Sequence, residues 1–311
     1  MTDAAPAKNE DSLSGVLYAL AAYVMWGFLP IYMKALAHIP TPEVIAHRVL
    51  WSLPVAGVVI LVMGRTRDLR TALRTPRMLG MGIVTAALIS VNWGIYVWAI
   101  GAGYALEAAL GYYINPLFSV LMGRVLLAER LAPAQWAAIG LAAAAVALLT
   151  YDAGRLPLVA LGLTVTWGFY AYLKKSLPIG PNQGFTLEVM LLAPFALAYV
   201  IWLGATGQAH FLQGVLTNDL LLIGAGVVTA VPLMVYANGA KRLRLSTIAM
   251  MQYLSPTMIF LIAVFVFDEP FTGVRVVAYP MIWLALVIFS LAMWRGRGRR
   301  DQSSSVTQTG T

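Results

Sequence analysis

Trp26-Gly27-Phe28 with Lys34 returns 141 residues later as Trp167-Gly168-Phe169 with Lys175. At a separation of 140, Pro54 is matched by Pro194, Asn115-Pro116 by Ser255-Pro256 and Glu129 by Glu269, so one register holds across most of the chain. This is an internal duplication. Five apolar segments fall within each copy, and an odd number of crossings makes the second copy enter the bilayer from the opposite side. Inverted repeats of this kind are a transporter architecture, so the duplication implies passage of a small-molecule substrate before any residue is given a role.

That inference requires a membrane, and the composition supplies one. Of 311 residues 60% are hydrophobic and 11% charged, with a mean hydropathy of +0.78, against about 25% charged in soluble domains. Crossing the hydrocarbon takes about 20 apolar residues. Segments that meet this are read at 14–36, 44–63, 77–100, 104–126, 132–150, 156–175, 184–203, 220–240, 245–267 and 271–294. The expected fold is an all-α integral membrane protein of ten transmembrane helices, with repeats at 14–150 and 156–294. Residues 1–13 and 295–311 read as cytoplasmic tails, with the first ten-odd residues and the polar stretch 301–311 disordered. The first segment is too long, and too interrupted by Lys34, to be a cleaved signal peptide.

The net charge of +8 reports orientation rather than affinity for nucleic acid. Arg65, Arg67, Arg70, Arg74 and Arg77, Arg124 and Arg130, Lys174 and Lys175, Lys241, Arg242 and Arg244, and Arg295, Arg297, Arg299 and Arg300 all fall at alternate joints. With Lys8 they make 17 of the 21 basic residues, which places both termini in the cytoplasm of a multi-pass inner-membrane protein. A monomer is expected, with a homo-oligomer left open. The bilayer and a small-molecule substrate are the expected partners.

Proline within a helix removes a hydrogen bond and pushes away the carbonyl four residues earlier. In lipid that carbonyl needs another partner or a wet cavity. Pro54, Pro116, Pro194 and Pro256 sit near the middles of the second, fourth, seventh and ninth segments in symmetric pairs, and read as hinges. Pro232 and Pro280 add two further breaks. Around them lie Asn92, Trp93 and Tyr96, then Tyr112, Tyr113 and Asn115, then Tyr236 and Asn238, and finally Gln252, Tyr253 and Ser255. Such groups are costly in lipid unless they bond a neighbouring helix or line a cavity. Asn92, Trp93, Tyr96, Tyr112, Asn115, Gln252 and Tyr253 are the candidate substrate contacts.

Ionisable residues inside spans are Lys34, His47, Arg48, Glu107, Lys175 and Glu188. Arg48 and Glu188 are equivalent positions of opposite charge, but inversion sends them to opposite sides. Each is therefore expected to take a local partner, Glu43 for Arg48 and Lys174 or Lys175 for Glu188. Arg48 reads either as that structural ion pair or as a receptor for a substrate carboxylate, with His47 beside it as a titratable or orienting group. Glu107 is suited to the positive end of its helix. There is no Cys, no His cluster and no close pair of deep carboxylates. Neither an enzyme, a metal site nor a cofactor is expected.

The strings His47-Arg48-Val49-Leu50-Trp51-Ser52, Asn92-Trp93 with Tyr96-Val97-Trp98-Ala99, the run from Glu107-Ala108-Ala109-Leu110-Gly111-Tyr112 to Asn115-Pro116-Leu117, and Gln252-Tyr253-Leu254-Ser255-Pro256-Thr257 resemble the EamA family, in its RarD-type branch. The resemblance runs from about residue 15 to 294. It implies membership of the drug/metabolite transporter superfamily, with ten helices in two inverted halves around a central cavity. Some relatives of this size, including the YddG-type exporters, move aromatic and other amino acids out of bacteria. One departure is that residues 14–36 carry no carboxylate, whereas the small multidrug exporters of the superfamily hold a Glu in their first helix. The expectation is export of neutral or aromatic amino acids by alternating access, facilitative or loosely proton-coupled. Drugs, purines or sugar phosphates are the alternative cargo, and a non-transporting sensor is a third reading.

Overall fold

A computed structural model describes residues 12–64, 66–127, 131–240, 242–243, 247 and 251–308. Arg65, Glu129, Arg130, Lys241 and Arg244 lie outside them, as do the side chains of Lys175 and Asn238. Among the described residues the protein is all helical. Eleven helices follow in order: α1 Leu13–Ala35, α2 Thr41–Val62, α3 Thr66–Arg74, α4 Pro76–Gly101, α5 Ala105–Leu127, α6 Pro133–Ala153, α7 Leu158–Ser176, α8 Pro181–Ala205, α9 Leu216–Ala240, α10 Leu254–Phe265 and α11 Arg275–Gln308. Proline stands in the first turn of α2, α6 and α8, where its missing N–H costs nothing. Gly154 ends α6 in the left-handed region at φ 63°.

Eight of these helices are long and apolar enough to cross a membrane; Leu158–Lys174 and Leu254–Phe265 are apolar but shorter. The protein is an all-α, multi-pass membrane protein. Three details depart from the sequence expectation. The ninth segment, expected over 245–267, is helical at Thr247 and Met251, turns at Gln252 and Tyr253, and is helical again from Leu254 to Phe265, so among the described residues a turn interrupts it just before Pro256. The last helix continues to Gln308, through the stretch expected to be disordered. Once an apolar turn has nucleated a helix, each further residue adds a hydrogen bond at little cost, and polarity alone does not stop it. The basic joint after α2 folds into α3. Leu69 and Ala72 pack there with Met78, Leu177 and Leu187, contacts that no local pattern announces.

The chain divides into two compact units, residues Met1–Ala86 with Leu177–Met258, and Ala87–Ser176 with Ile259–Thr311. Each draws on both halves of the sequence. In the first unit α2 packs on α8 and α9, α1 on α9, and α3 on α8. Gly226 of α9 lies directly on α2, where a Cβ would meet the backbone of Trp51 and Ser52, and Ser52 Oγ donates to the Gly226 carbonyl at 3.2 Å. Small residues at membrane helix contacts allow this approach. Gly27 of α1 makes room for Met258.

In the second unit α5 packs on α7, and α11 on α6 and α5. Gly168 of α7 makes room for Phe118 of α5. The two glycines of the repeated Trp-Gly-Phe string therefore seat residues that are themselves 140 positions apart. Glu269, almost fully buried, caps α5: the N–H groups of Ala105 and Leu106 donate to its two oxygens at 2.6 and 2.9 Å. A carboxylate at a helix N-terminus meets both the unpaired donors and the helix dipole. Tyr279 Oη donates to the Leu106 carbonyl at 2.6 Å and closes the same corner. Glu269→Ala leaves two buried N–H groups without acceptors and is expected to cost about 2 kcal/mol, read as a lower melting temperature in detergent; an unchanged melt would show that the cap is dispensable.

Candidate functional site

In the second unit, Asn92, Trp93 and Tyr96 occupy one stretch of α4 and are all buried. The Asn92 amide nitrogen donates to the Leu163 carbonyl at 3.1 Å and to Thr166 Oγ1 at 2.8 Å, both on α7. Its donors are thereby spent on holding α4 to α7. Tyr96 reaches towards α5, its ring 5.9 Å from that of half-buried Tyr112. One turn on is Asn115. Its Oδ1 is buried and makes no hydrogen bond, while its backbone carbonyl accepts from Ser119 Oγ at 2.9 Å. Pro116 follows within α5 and cannot supply the N–H that the Tyr112 carbonyl would otherwise accept. This face of the unit therefore combines two aromatic rings with an unspent amide acceptor beside a helix break.

In the first unit the charges are arranged otherwise than expected. Glu43, fully buried, is not the partner of Arg48. Its oxygens accept from the His210 backbone N–H and lie against His210 Nδ1, both at 2.7 Å. A carboxylate offers only lone pairs, so the proton of the second bond belongs to Nδ1. Arg48 instead donates from Nε to Thr229 Oγ1 of α9 at 2.6 Å, and Thr229 passes its own proton to the Ala225 carbonyl. The sequence expectation failed because His210 is 167 residues from Glu43 and reaches it only by tertiary folding. Glu188 is buried in α8, and Lys174 of the second unit lies over the ring of Tyr170 at 5.3 Å. Glu107 stands in the first turn of α5, at the positive end of its helix as expected, and also pairs with Arg155 at 2.8 Å, while Glu269 caps the same helix end.

His47 accepts from Trp51 Nε1 at 3.2 Å through Nδ1, which puts its own proton on Nε2. That nitrogen is buried and makes no hydrogen bond, and the ring packs 4.7 Å from Phe211. His38 meets Asn218 Oδ1 at 2.8 Å, and Asp219 accepts from the N–H of Leu212, which sits at φ 58°. All three histidines of the chain thus engage the α8–α9 connection or the start of α9. His210, Phe211 and Asp219 were not singled out from the sequence; a histidine in a polar joint gives no signal of its partner.

Gln252 and Tyr253 are half-buried just before α10, where the Tyr253 carbonyl accepts from the backbone N–H and the hydroxyl of Thr257 at 3.2 and 2.7 Å. Ser255 Oγ donates to the Tyr23 carbonyl at 2.7 Å. Tyr23, Trp26 and Tyr236 form a ring cluster with centroids 5.5 to 5.7 Å apart, a grouping the sequence did not single out. Pro54 and Pro194 lie inside α2 and α8, which pack together. Pro30 of α1 is a further internal proline. Among the described residues no three His, Cys, Asp or Glu side chains are grouped to hold a metal.

The sequence profile of the EamA-like transporter family matches residues 13–151. An uncharacterised transporter of Vibrio cholerae is 42% identical over 283 residues, covering 91% of this chain and 94% of the relative. The RarD protein of Streptomyces exfoliatus is 40% identical over 284 residues, covering 91% and 90%. The chain belongs to the EamA family of transporters. Within the family it falls in the RarD-like branch of the drug/metabolite transporter superfamily, and it is a membrane transporter. A protein crystal structure shares the fold, with a TM-score of 0.59 at 21% identity, over 91% of this chain and 98% of that one. The matched stretch 13–151 includes the strings at 47–52, 92–99 and 107–117, and the two shorter helices α7 and α10 are the elements that length alone does not assign to the membrane.

Proposed function

We propose that this EamA transporter is an inner-membrane exporter of neutral and aromatic amino acids, working by alternating access in a facilitative or loosely proton-coupled cycle. The observation that carries the reading is Asn115 Oδ1, a buried acceptor with no hydrogen bond of its own, set one residue before the helix break at Pro116. An unspent buried acceptor costs free energy unless a ligand donates to it, and an ammonium group is such a donor. Trp93, Tyr96 and Tyr112 give an apolar or aromatic side chain matching surfaces. Asn92 contributes by fixing α4 on α7, and Gln252 and Tyr253 are proposed as further contacts on the path. His47 and Arg48 are proposed as substrate contacts of the first unit, His47 through its unspent Nε2 proton.

The ten-helix, inverted-repeat topology with both termini cytoplasmic belongs to the same proposal, with Pro54, Pro116, Pro194 and Pro256 as the points of flexure. The matched seating of Met258 on Gly27 and of Phe118 on Gly168 supports the equivalence of the two repeats. The test is flux of labelled Phe, Trp, Met and Thr into liposomes holding the purified protein, with and without a pH gradient. Saturable flux is expected, falling about tenfold or more in Asn115→Ala, since a charge-assisted hydrogen bond contributes about 1.5–3 kcal/mol. Trp93→Ala should fall similarly at unchanged expression. Wild-type flux in both variants would remove this site, and no flux of any amino acid from folded protein would move the cargo to drugs, purines or sugar phosphates.

A further inference from the structure

We propose that the arginine stripe of α3 binds the anionic phospholipid headgroups of the membrane that holds the protein. Arg67, Arg70 and Arg74 follow at intervals of three and four residues, the spacing that keeps side chains on one helix face, and Arg77 comes three residues later. The first three lie on α3 and the fourth in the first turn of α4, and all four are exposed. None makes an ion pair with a described residue. The opposite face is already occupied: Ala72 is fully buried and Leu69 packs with it against Met78, Leu177 and Leu187. The helix is therefore docked on its own protein and cannot turn its basic face inward.

The neighbouring polar groups are directed away from the stripe. Thr71 and Thr75 donate to the carbonyls of Arg67 and Thr71, one turn back, at 3.0 and 2.8 Å. Asp68, the one acidic residue of the helix, accepts from Gln183 Nε2 at 3.3 Å. Orientation by the positive-inside effect needs basic residues near a span but no register among them. A helical stripe is more than that effect requires. The helix begins four residues after α2 and ends two before α4, so both tethers hold it at the bilayer surface. Lipid phosphates at that surface suit four guanidinium forks that make no ion pair with a described residue, since phosphate oxygens accept in the bidentate geometry that arginine offers. Basic residues beside a membrane segment draw anionic lipid in this way.

The experiment uses the full-length protein, delipidated in neutral detergent, with bound lipid counted by native mass spectrometry as phosphatidylglycerol is added. Phosphatidylcholine and inorganic phosphate are the comparison ligands. Wild type is expected to retain phosphatidylglycerol in preference to phosphatidylcholine, and inorganic phosphate should not displace it. R67Q/R70Q/R74Q should weaken retention by a factor of about fivefold per arginine removed, with the single variants graded between. R297Q/R299Q/R300Q, which removes the same charge elsewhere, should retain the lipid as wild type does. The proposal is overturned if the α3 triple variant keeps its lipid, if the tail variant loses it equally, or if phosphatidylcholine binds as well. Displacement by inorganic phosphate alone would also overturn it, because the stripe would then be a site for free anions. Should the triple variant fail to fold, R70Q alone decides between the outcomes.

Discussion

Gly226→Ala is expected to lower the melting temperature sharply and reduce the yield of folded protein, at a cost on the order of 3 kcal/mol. The new Cβ would be placed against the backbone of Trp51 and Ser52, and backbone, unlike the end of a side chain, cannot rotate aside. Helices α2 and α9 would have to separate. That movement would also break the bond from Ser52 Oγ to the Gly226 carbonyl and disturb the one from Arg48 to Thr229 on the same pair of helices. Gly57→Ala on α2 is the control, since a Cβ there meets nothing within 4 Å. It should be neutral or stabilising by about 0.5–1 kcal/mol, as alanine is favoured over glycine within helices. Equal melting of the two variants would show that the close approach does not hold the unit together.

Glu43→Ala should have an effect of similar size, about 3 kcal/mol, through a different cause. Both carboxylate oxygens hold His210, and the side chain has no exposure of its own. Without them the His210 backbone N–H loses its acceptor, and the segment that packs Phe211 against His47 and Trp51 loses its anchor on α2. Hydrogen–deuterium exchange across residues 208–215 is expected to rise in Glu43→Ala, with a smaller rise in Glu43→Gln, which keeps one acceptor. His210→Ala should resemble Glu43→Ala, since it leaves a buried carboxylate without its ring partner. Exchange unchanged from wild type in all three would mean that the pair does not hold the α8–α9 connection.

The two variants also mark the limit of what could be read along the chain. The helices were legible because apolar runs of membrane length need no partner to be recognised. The family was legible because several of its strings lie within single helices, as from His47 to Ser52 and from Glu107 to Leu117. Glu43 was visible as an acidic residue near Arg48, and proximity in sequence suggested the wrong pair. Its partner is on a connection far down the chain, in a unit that both halves of the sequence build together. Likewise Asn92 and Asn115 looked alike as polar residues in apolar helices. Only the packing of α4 on α7 spent the donors of the first, while the acceptor of the second remained unused.

By itself the sequence determined that the chain is helical, lies in a membrane, repeats short strings about 140 residues apart and gathers its basic residues into a few joints. Those are properties of local composition and of periodicity, which act on each segment whatever surrounds it. The tertiary structure decided which carboxylate meets which cation, which glycine bears a helix contact, and that the joint after α2 is a helix with one arginine face. These depend on side chains brought together from distant positions, where burial and a single hydrogen-bond partner outweigh any local preference.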